Sequence, residues 1–127
     1  MYPVLAPSLL RAGQTLRKPE DLLQYPLLHE DEDRSWQAWF RAADLPNISI
    51  PRRMRFNDVA LVLQAAVNGH GIALGDDLLA ADDLKAERLI RPFEKAAPCG
   101  TYWLLGAASR SRARRMFRDW LAEQLAL

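Results

Sequence analysis

The sequence predicts an α/β fold, a mostly parallel twisted sheet with helices on both faces. Three observations carry this. Short apolar runs that read as strands alternate with segments whose apolar residues recur at helical spacing, the pattern of a sheet covered on both sides. Glycines frame one of those runs, Gly71-Ile72-Ala73-Leu74-Gly75, as a short buried strand directly after a helix. And 127 residues, half of them apolar, suffice for one compact core and make two domains unlikely to be supported.

In chain order, Tyr2 to Ala6 is short, apolar and closed by Pro7, a strand leading into a helical turn at Ser8 to Leu10. Ala12-Gly13-Gln14 reads as a turn. Pro19 suits a first helical position and Glu20 and Asp21 complement the dipole, so Pro19 to Gln24 is a short helix ending before Pro26. Pro26 to Glu30 is a buried strand, and the acidic run Glu30-Asp31-Glu32-Asp33 a solvated loop. Ser35 is the expected N-cap of a helix whose Trp36, Trp39, Phe40 and Ala43 recur at helical spacing. Asn47 to Phe56 alternates Ile48, Ile50, Met54 and Phe56 with Ser49 and Arg55, a strand interrupted at Pro51.

The most regular helix runs from Asn57 to Gly69, capped by Asn57 or Asp58 and stopped at Gly69. Beyond the glycine-framed strand, Asp76 or Asp77 caps a helical stretch through Leu84, and Arg88 to Phe93 returns as a strand. After a loop at Glu94 to Gly100 come a last strand, Thr101 to Leu105, and a last helix from about Ser111 to Leu125 with Met116, Phe117, Trp120, Leu121 and Leu125 on one side.

Composition excludes several function classes. The 17 Lys and Arg against 16 Asp and Glu leave a net charge of +1, which gives no basic surface for nucleic acid or membrane. The single cysteine, Cys99, rules out an internal disulfide and metal binding by cysteine, and suits a reducing cytoplasm. No run approaches the roughly 18 apolar residues of a membrane span, and no secretory leader is evident, so a soluble cytoplasmic protein is expected. No phosphate loop, no nucleophile with a base in range and no paired catalytic carboxylates can be picked out, which disfavours an enzyme and calls for no cofactor.

Parallel sheets bind ligands at the carboxyl ends of their strands. Three loops leave strands at that edge: Glu30 to Asp33, Asn57 to Val59, and Gly75 to Asp77. A crevice there would be acidic, with the helix amides at Asp58 to Ala60 available to an anion or carbonyl.

The composite of Pro3-Val4 with Pro7-Ser8-Leu9-Leu10, Pro19-Glu20-Asp21-Leu22 with Pro26-Leu27-Leu28-His29, and Trp36 with Trp39 resembles the second half of LysR-type effector domains. Arg55-Phe56-Asn57-Asp58 leading into Leu63-Gln64-Ala65-Ala66-Val67-Asn68-Gly69-His70-Gly71-Ile72-Ala73-Leu74 is similar to that family's cleft-edge turn, Ala-rich helix and glycine-framed strand. Leu89-Ile90-Arg91-Pro92-Phe93, Gly100-Thr101-Tyr102-Trp103-Leu104 and Phe117-Arg118-Asp119-Trp120-Leu121 complete the likeness, which is greatest to the subgroup of glycine-cleavage activators and β-lactamase regulators.

The resemblance implies a type II periplasmic-binding-protein-like fold, two α/β subdomains with a small-molecule effector in the cleft between them. On that reading residues 1–97 are the second subdomain, and residues 98–127 are a return strand and C-terminal helix that pack on a first subdomain outside these residues. DNA would be reached through an N-terminal domain also outside them, and the regulator would be a homo-oligomer, a dimer. Effector contacts carried over from the family fall on Asn57, Asp58, Val59 and Tyr102, with His29, Glu30 and Asp31 on the neighbouring loop. The family often has serine or threonine where this chain has Val59.

Plainer readings compete. Asn57 and Asp58 are good helix caps whether or not they touch a ligand. His29 beside Glu30 and Asp31 invites a metal or a general base, but His70 lies across a helix at no ligand spacing, so no metal site is expected. The Trp36, Trp39 and Phe40 stripe has the spacing of core. Arg110, Arg112, Arg114, Arg115 and Arg118 ring an amphipathic helix with no helix-turn-helix or aromatic interleaving, and contribute no DNA-binding site. The alternatives to a sensing module are a ligand-free oligomerisation or interaction module joined through Met116, Phe117 and Trp120, a truncated regulator remnant, and an enzyme of unrecognised class that would depend on His29.

Overall fold

Adjacent residues in the central strands go to opposite sides of the sheet, the period-two rule of extended chain. Val4, Leu28 and Ala73 join one buried cluster, while their neighbours Leu5, Leu27 and Ile72 join a second. The computed structural model describes residues 1–10, 14–106 and 111–125. Among these the strands are β1 (Tyr2–Val4), β2 (Leu27–His29), β3 (Arg53–Arg55) and β4 (Ala73–Gly75).

β2 pairs in parallel with β3, and β1 pairs antiparallel with β4. A parallel bridge between Leu27 and Ile72 joins the two pairs into one layer, through Leu28 N–H to the Ile72 carbonyl at 2.8 Å and Ile72 N–H to the Pro26 carbonyl at 2.9 Å. An antiparallel bridge between Leu5 and Ile90 extends the layer beyond β1. The order is therefore β3, β2, β4, β1 and the Ile90 stretch, with β1 alone reversed. β3 is the exposed edge, and Arg53 and Arg55 on it pair with Asp33 and Glu32, charges of the kind that keep an edge from recruiting another strand.

The helices are α1 (Arg34–Ala42), α2 (Val59–Val67), α3 (Ala81–Lys85) and α4 (Arg112–Gln124), with 3-10 turns at Pro7–Leu9 and Pro19–Gln24. α2 and the start of α3 cover one face: Val62, Leu63, Ala65, Ala66 and Ala80 pack with Tyr2, Val4, Leu28 and Leu89. α1 covers the other with Trp36, Trp39 and Phe40, all fully buried beside Leu5, Leu22 and Ile72. The three rings meet at centroid distances of 5.2 to 6.3 Å, two of the pairs edge to face.

α2 forms as its sequence dictates. The Asp58 carboxylate accepts the Leu61 N–H at 3.1 Å, and Gly69 ends the helix at φ 77, a left-handed conformation that favours glycine. Gly71 then lies so close to β2 that a Cβ there would come within 2.5 Å of the Pro26 carbonyl.

Several expectations are corrected. Ser35 is not the N-cap of α1: that residue is Asp33, at φ 78 and without a side-chain cap, and Asp31 instead accepts both the Ser35 N–H and its hydroxyl. The run Glu30 to Asp33 is thus only partly a solvated loop, because Asp31 and Asp33 are half-buried and engaged. The strand expected over Asn47 to Phe56 is confined to Arg53–Arg55, while Ile48 and Ile50 pack against the aromatic cluster. Arg88 to Phe93 contributes a single bridge at Ile90.

Thr101 to Leu105 forms no strand. Among the described residues no neighbouring strand offers it a ladder, and Trp103 and Leu105 stand 79% and 86% exposed. α4 is capped by the Ser111 side chain, which accepts the Arg114 N–H, but buries none of its residues. The turn expected at Ala12 and Gly13, and Arg110 of the arginine group, lie outside the described residues.

Candidate functional site

The ladder between β2 and β4 stops at Leu28. Its carbonyl accepts the indole N–H of Trp36 at 2.9 Å, at the place where the next rung, from Leu74, would fall. Where the strands part, at their carboxyl ends, lies a cavity of about 690 Å³. Its apolar lining includes Leu28, Trp36, Val62, Leu63, Leu74 and Leu79. Polar side chains enter from three directions: His29, Glu30 and Asp31 after β2, Arg34 and Ser35 from α1, and Asp76 after β4. Pro98 to Tyr102 supply a further wall.

Of the seven residues expected at the site, the cavity lining brings together His29, Glu30, Asp31, Val59 and Tyr102. Asn57 and Asp58 are not in that lining. Both are exposed, and the Asp58 carboxylate is turned to the N-terminus of α2, so capping is the role its geometry fits.

His29 is buried, with Nδ1 3.2 Å from Asp33 Oδ1, while the other Asp33 oxygen takes the Arg53 guanidinium. Among the described residues neither His29 Nδ1 nor Asp33 Oδ1 has a hydrogen-bond partner, although the two are close. Asp31 commits Oδ2 to Ser35, and its Oδ1 is buried without a hydrogen-bond partner. Among the described residues no cluster of His, Cys, Asp and Glu could hold a metal ion.

The residue sequence reasoning passed over is Asp76. Its Oδ1 accepts the N–H groups of Leu78 at 2.9 Å and Leu79 at 2.7 Å, and its Oδ2 accepts the Tyr102 hydroxyl at 2.7 Å. Burial opposes ionisation of this carboxyl, but the Leu79 N–H, the Tyr102 hydroxyl and the Leu78 N–H outweigh it and hold the group below the usual carboxylate range. Tyr102 moves the other way: burial, the bond to Asp76 and the Asp76 charge push its phenol up to about 12. The available signal was position, since Asp76 directly follows the glycine-framed strand at the binding edge.

A partly parallel sheet with helices on both faces and a crevice at the strand exits is the architecture of a periplasmic-binding-protein-like fold. Residues 1–126 match the family model described as LysR substrate binding domain, and the chain belongs to that family. It is 33% identical over 129 residues to the glycine cleavage system transcriptional activator of Escherichia coli (strain K12), covering 99% of this chain and 42% of that protein. The chain thus spans less than half the length of this regulator.

Among solved structures, the effector domain of the transcriptional regulator AmpR of Pseudomonas aeruginosa superposes with a TM-score of 0.78 at 35% identity, covering 98% of this chain and 61% of that one. A Citrobacter freundii effector binding domain carrying three substitutions, threonine to valine, serine to alanine and tyrosine to phenylalanine, gives 0.78 at 27% identity, covering 98% and 63%. No described helix is long and apolar enough to cross a membrane.

Proposed function

We propose that this chain is the effector-sensing part of a bacterial LysR-type transcriptional regulator and that its effector, a small molecule, sits in the cavity at the carboxyl edge of the sheet. The observation that carries the proposal is the cavity itself, about 690 Å³ of mainly apolar wall with polar groups converging from three loops, the composition of a small-molecule site. The contacts are assigned to His29, Glu30, Asp31, Val59 and Tyr102, with Asp76 added. Asp58 is assigned to the cap of α2, and Asn57, outside the cavity lining, is given no contact.

The Citrobacter substitutions support Tyr102. The serine and tyrosine changed there are separated by the same number of positions as Val59 and Tyr102 here. At that correspondence this chain keeps the phenol and replaces the serine hydroxyl by an isopropyl group, so the Val59 wall selects for an apolar part of the ligand.

Residues 1–97 form the second subdomain in this proposal, and residues 98–127 dock on a first subdomain. The regulator is cytoplasmic, has no enzymatic activity and reaches DNA through another domain. Differential affinity of the effector for two arrangements of the subdomains then shifts the regulator's population. A metabolite panel screened by thermal shift tests the site. A ligand that stabilises the wild type and Asp58→Ala but not Val59→Trp is expected; stabilisation that survives Val59→Trp places the ligand elsewhere.

A second reading rests on α4, where Met116, Phe117 and Trp120 are each more than half exposed on one side. Such a face promotes association, either with the first subdomain or between copies as a dimer. Light scattering that shows only monomer over a wide concentration range removes the second of these.

A further inference from the structure

Among the described residues, the segment from Pro98 to Gly106 has one hydrogen bond to the body of the fold, from the Tyr102 hydroxyl to Asp76 Oδ2 at 2.7 Å. The Ala97 N–H reaches the Met1 carbonyl at 2.9 Å, and the described residues from Pro98 to Gly106 belong to no helix or strand. Yet Pro98, Gly100 and Tyr102 line the cavity. The position of that wall is thus governed by Asp76, whose other oxygen is fixed by the Leu78 and Leu79 N–H groups.

The same bond decides what the wall can recognise. A phenol has one proton to donate, and here it is committed to Asp76. What Tyr102 still offers a ligand is a lone pair, and Asp76 beside it is a carboxylate that accepts only. Glu30 is near enough for its charge to act on the same phenol. Arg34, from the start of α1, lines the cavity as well and borders a neighbouring depression together with Glu30 and Asp31.

We propose that Asp76 is a positioning and specificity-determining residue: by holding the Tyr102 hydroxyl as its donor, it fixes the Pro98–Tyr102 wall and restricts the effector there to a hydrogen-bond donor, an ammonium group on a molecule with an apolar body. The inference rests on the reading of the cavity as the effector site. An acid or a carbonyl compound of the same size turns an acceptor toward the Tyr102 and Asp76 oxygens and binds there more weakly, because neither side supplies the proton.

Isothermal titration of the 127-residue chain with 3-phenylpropylamine and 3-phenylpropanoate tests this, since the two probes share an apolar body and differ at the polar end. The wild type is expected to favour the amine by at least about tenfold, the scale of one charge-assisted hydrogen bond. Asp76→Asn retains an oxygen for the Leu78 and Leu79 N–H groups and should cut the ratio to about threefold or less.

Equal affinity of the wild type for both probes, or a preference that Asp76→Asn leaves intact, overturns the inference. If binding in those cases is still abolished by Val59→Trp and by Leu79→Trp, the latter at an exposed position that does not threaten folding, the cavity reading stands. Binding that survives both tryptophans, or no binding of either probe to the wild type, overturns the cavity reading and the inference with it.

Discussion

Replacing Trp36 by phenylalanine tests the device that parts β2 from β4. The indole is fully buried, and its N–H is the hydrogen-bond donor to the Leu28 carbonyl at 2.9 Å. Phenylalanine keeps the aromatic contacts with Trp39 and Phe40 but leaves that carbonyl without its donor, at a cost of about 1–3 kcal/mol for an orphaned buried acceptor. The smaller ring adds about 1 kcal/mol for the space it fails to fill. The expected loss is about 2–4 kcal/mol out of a total stability of about 5–15 kcal/mol for an ordinary domain.

Urea unfolding followed by far-ultraviolet circular dichroism reads this as a fall in midpoint at unchanged slope. Trp39→Phe is the companion variant. Its indole N–H goes to the Lys95 carbonyl at 3.0 Å in a partly buried position, where water can replace it, so its loss should be smaller. A Trp36→Phe cost below about 0.5 kcal/mol, within the range of neutral surface changes, refutes the reasoning, as does a larger cost for Trp39→Phe.

Gly71→Ala should destabilise the domain by about 1–3 kcal/mol in the same assay, because the added methyl meets the backbone carbonyl of Pro26, which cannot rotate away. Tyr2 gives an alkaline prediction: burial first, then its bond to Asp77 at 2.8 Å, push its phenol up to about 12 from the ordinary 10.0. The folded state holds this proton more tightly than the unfolded chain, so the contribution is complete below pH 10 and is lost as pH rises through about 12. Tyr2→Phe should flatten the fall in stability across that window, measured by urea midpoints at stepped pH.

Local rules explain how much could be read in advance. α2 was legible because its start, its apolar face and its end each carry a short-range signal in Asp58, the Leu63 to Ala66 run and Gly69. The aromatic stripe of α1 was legible for the same reason, whereas its start was not: Asp33 enters the helix from a left-handed conformation, held by His29 and by Arg53 from twenty positions later in the chain. Thr101 to Leu105 has strand composition, yet a strand exists only with a neighbour, and composition carries no information about neighbours. Loop positions at the strand exits pointed to His29, Glu30, Asp31 and Val59, which line the cavity, whereas Asp58 beside Val59 caps α2 and lies outside that lining. Asp76 acquires its place only through a tyrosine 26 positions further along the chain.

The reversed strand constrains how the molecule assembles. β1 precedes the other three described strands in the chain, yet the partners on its two sides, β4 and the Ile90 stretch, are separated from it by some seventy and eighty-five intervening residues. Two large loops must close before its inner rungs exist, and closures of that span slow a folding reaction well beyond what its helices require. Tyr2 to Leu5 therefore behaves as a keystone placed last, and a growing polypeptide cut short before Ile90 carries an apolar ribbon with no complete berth.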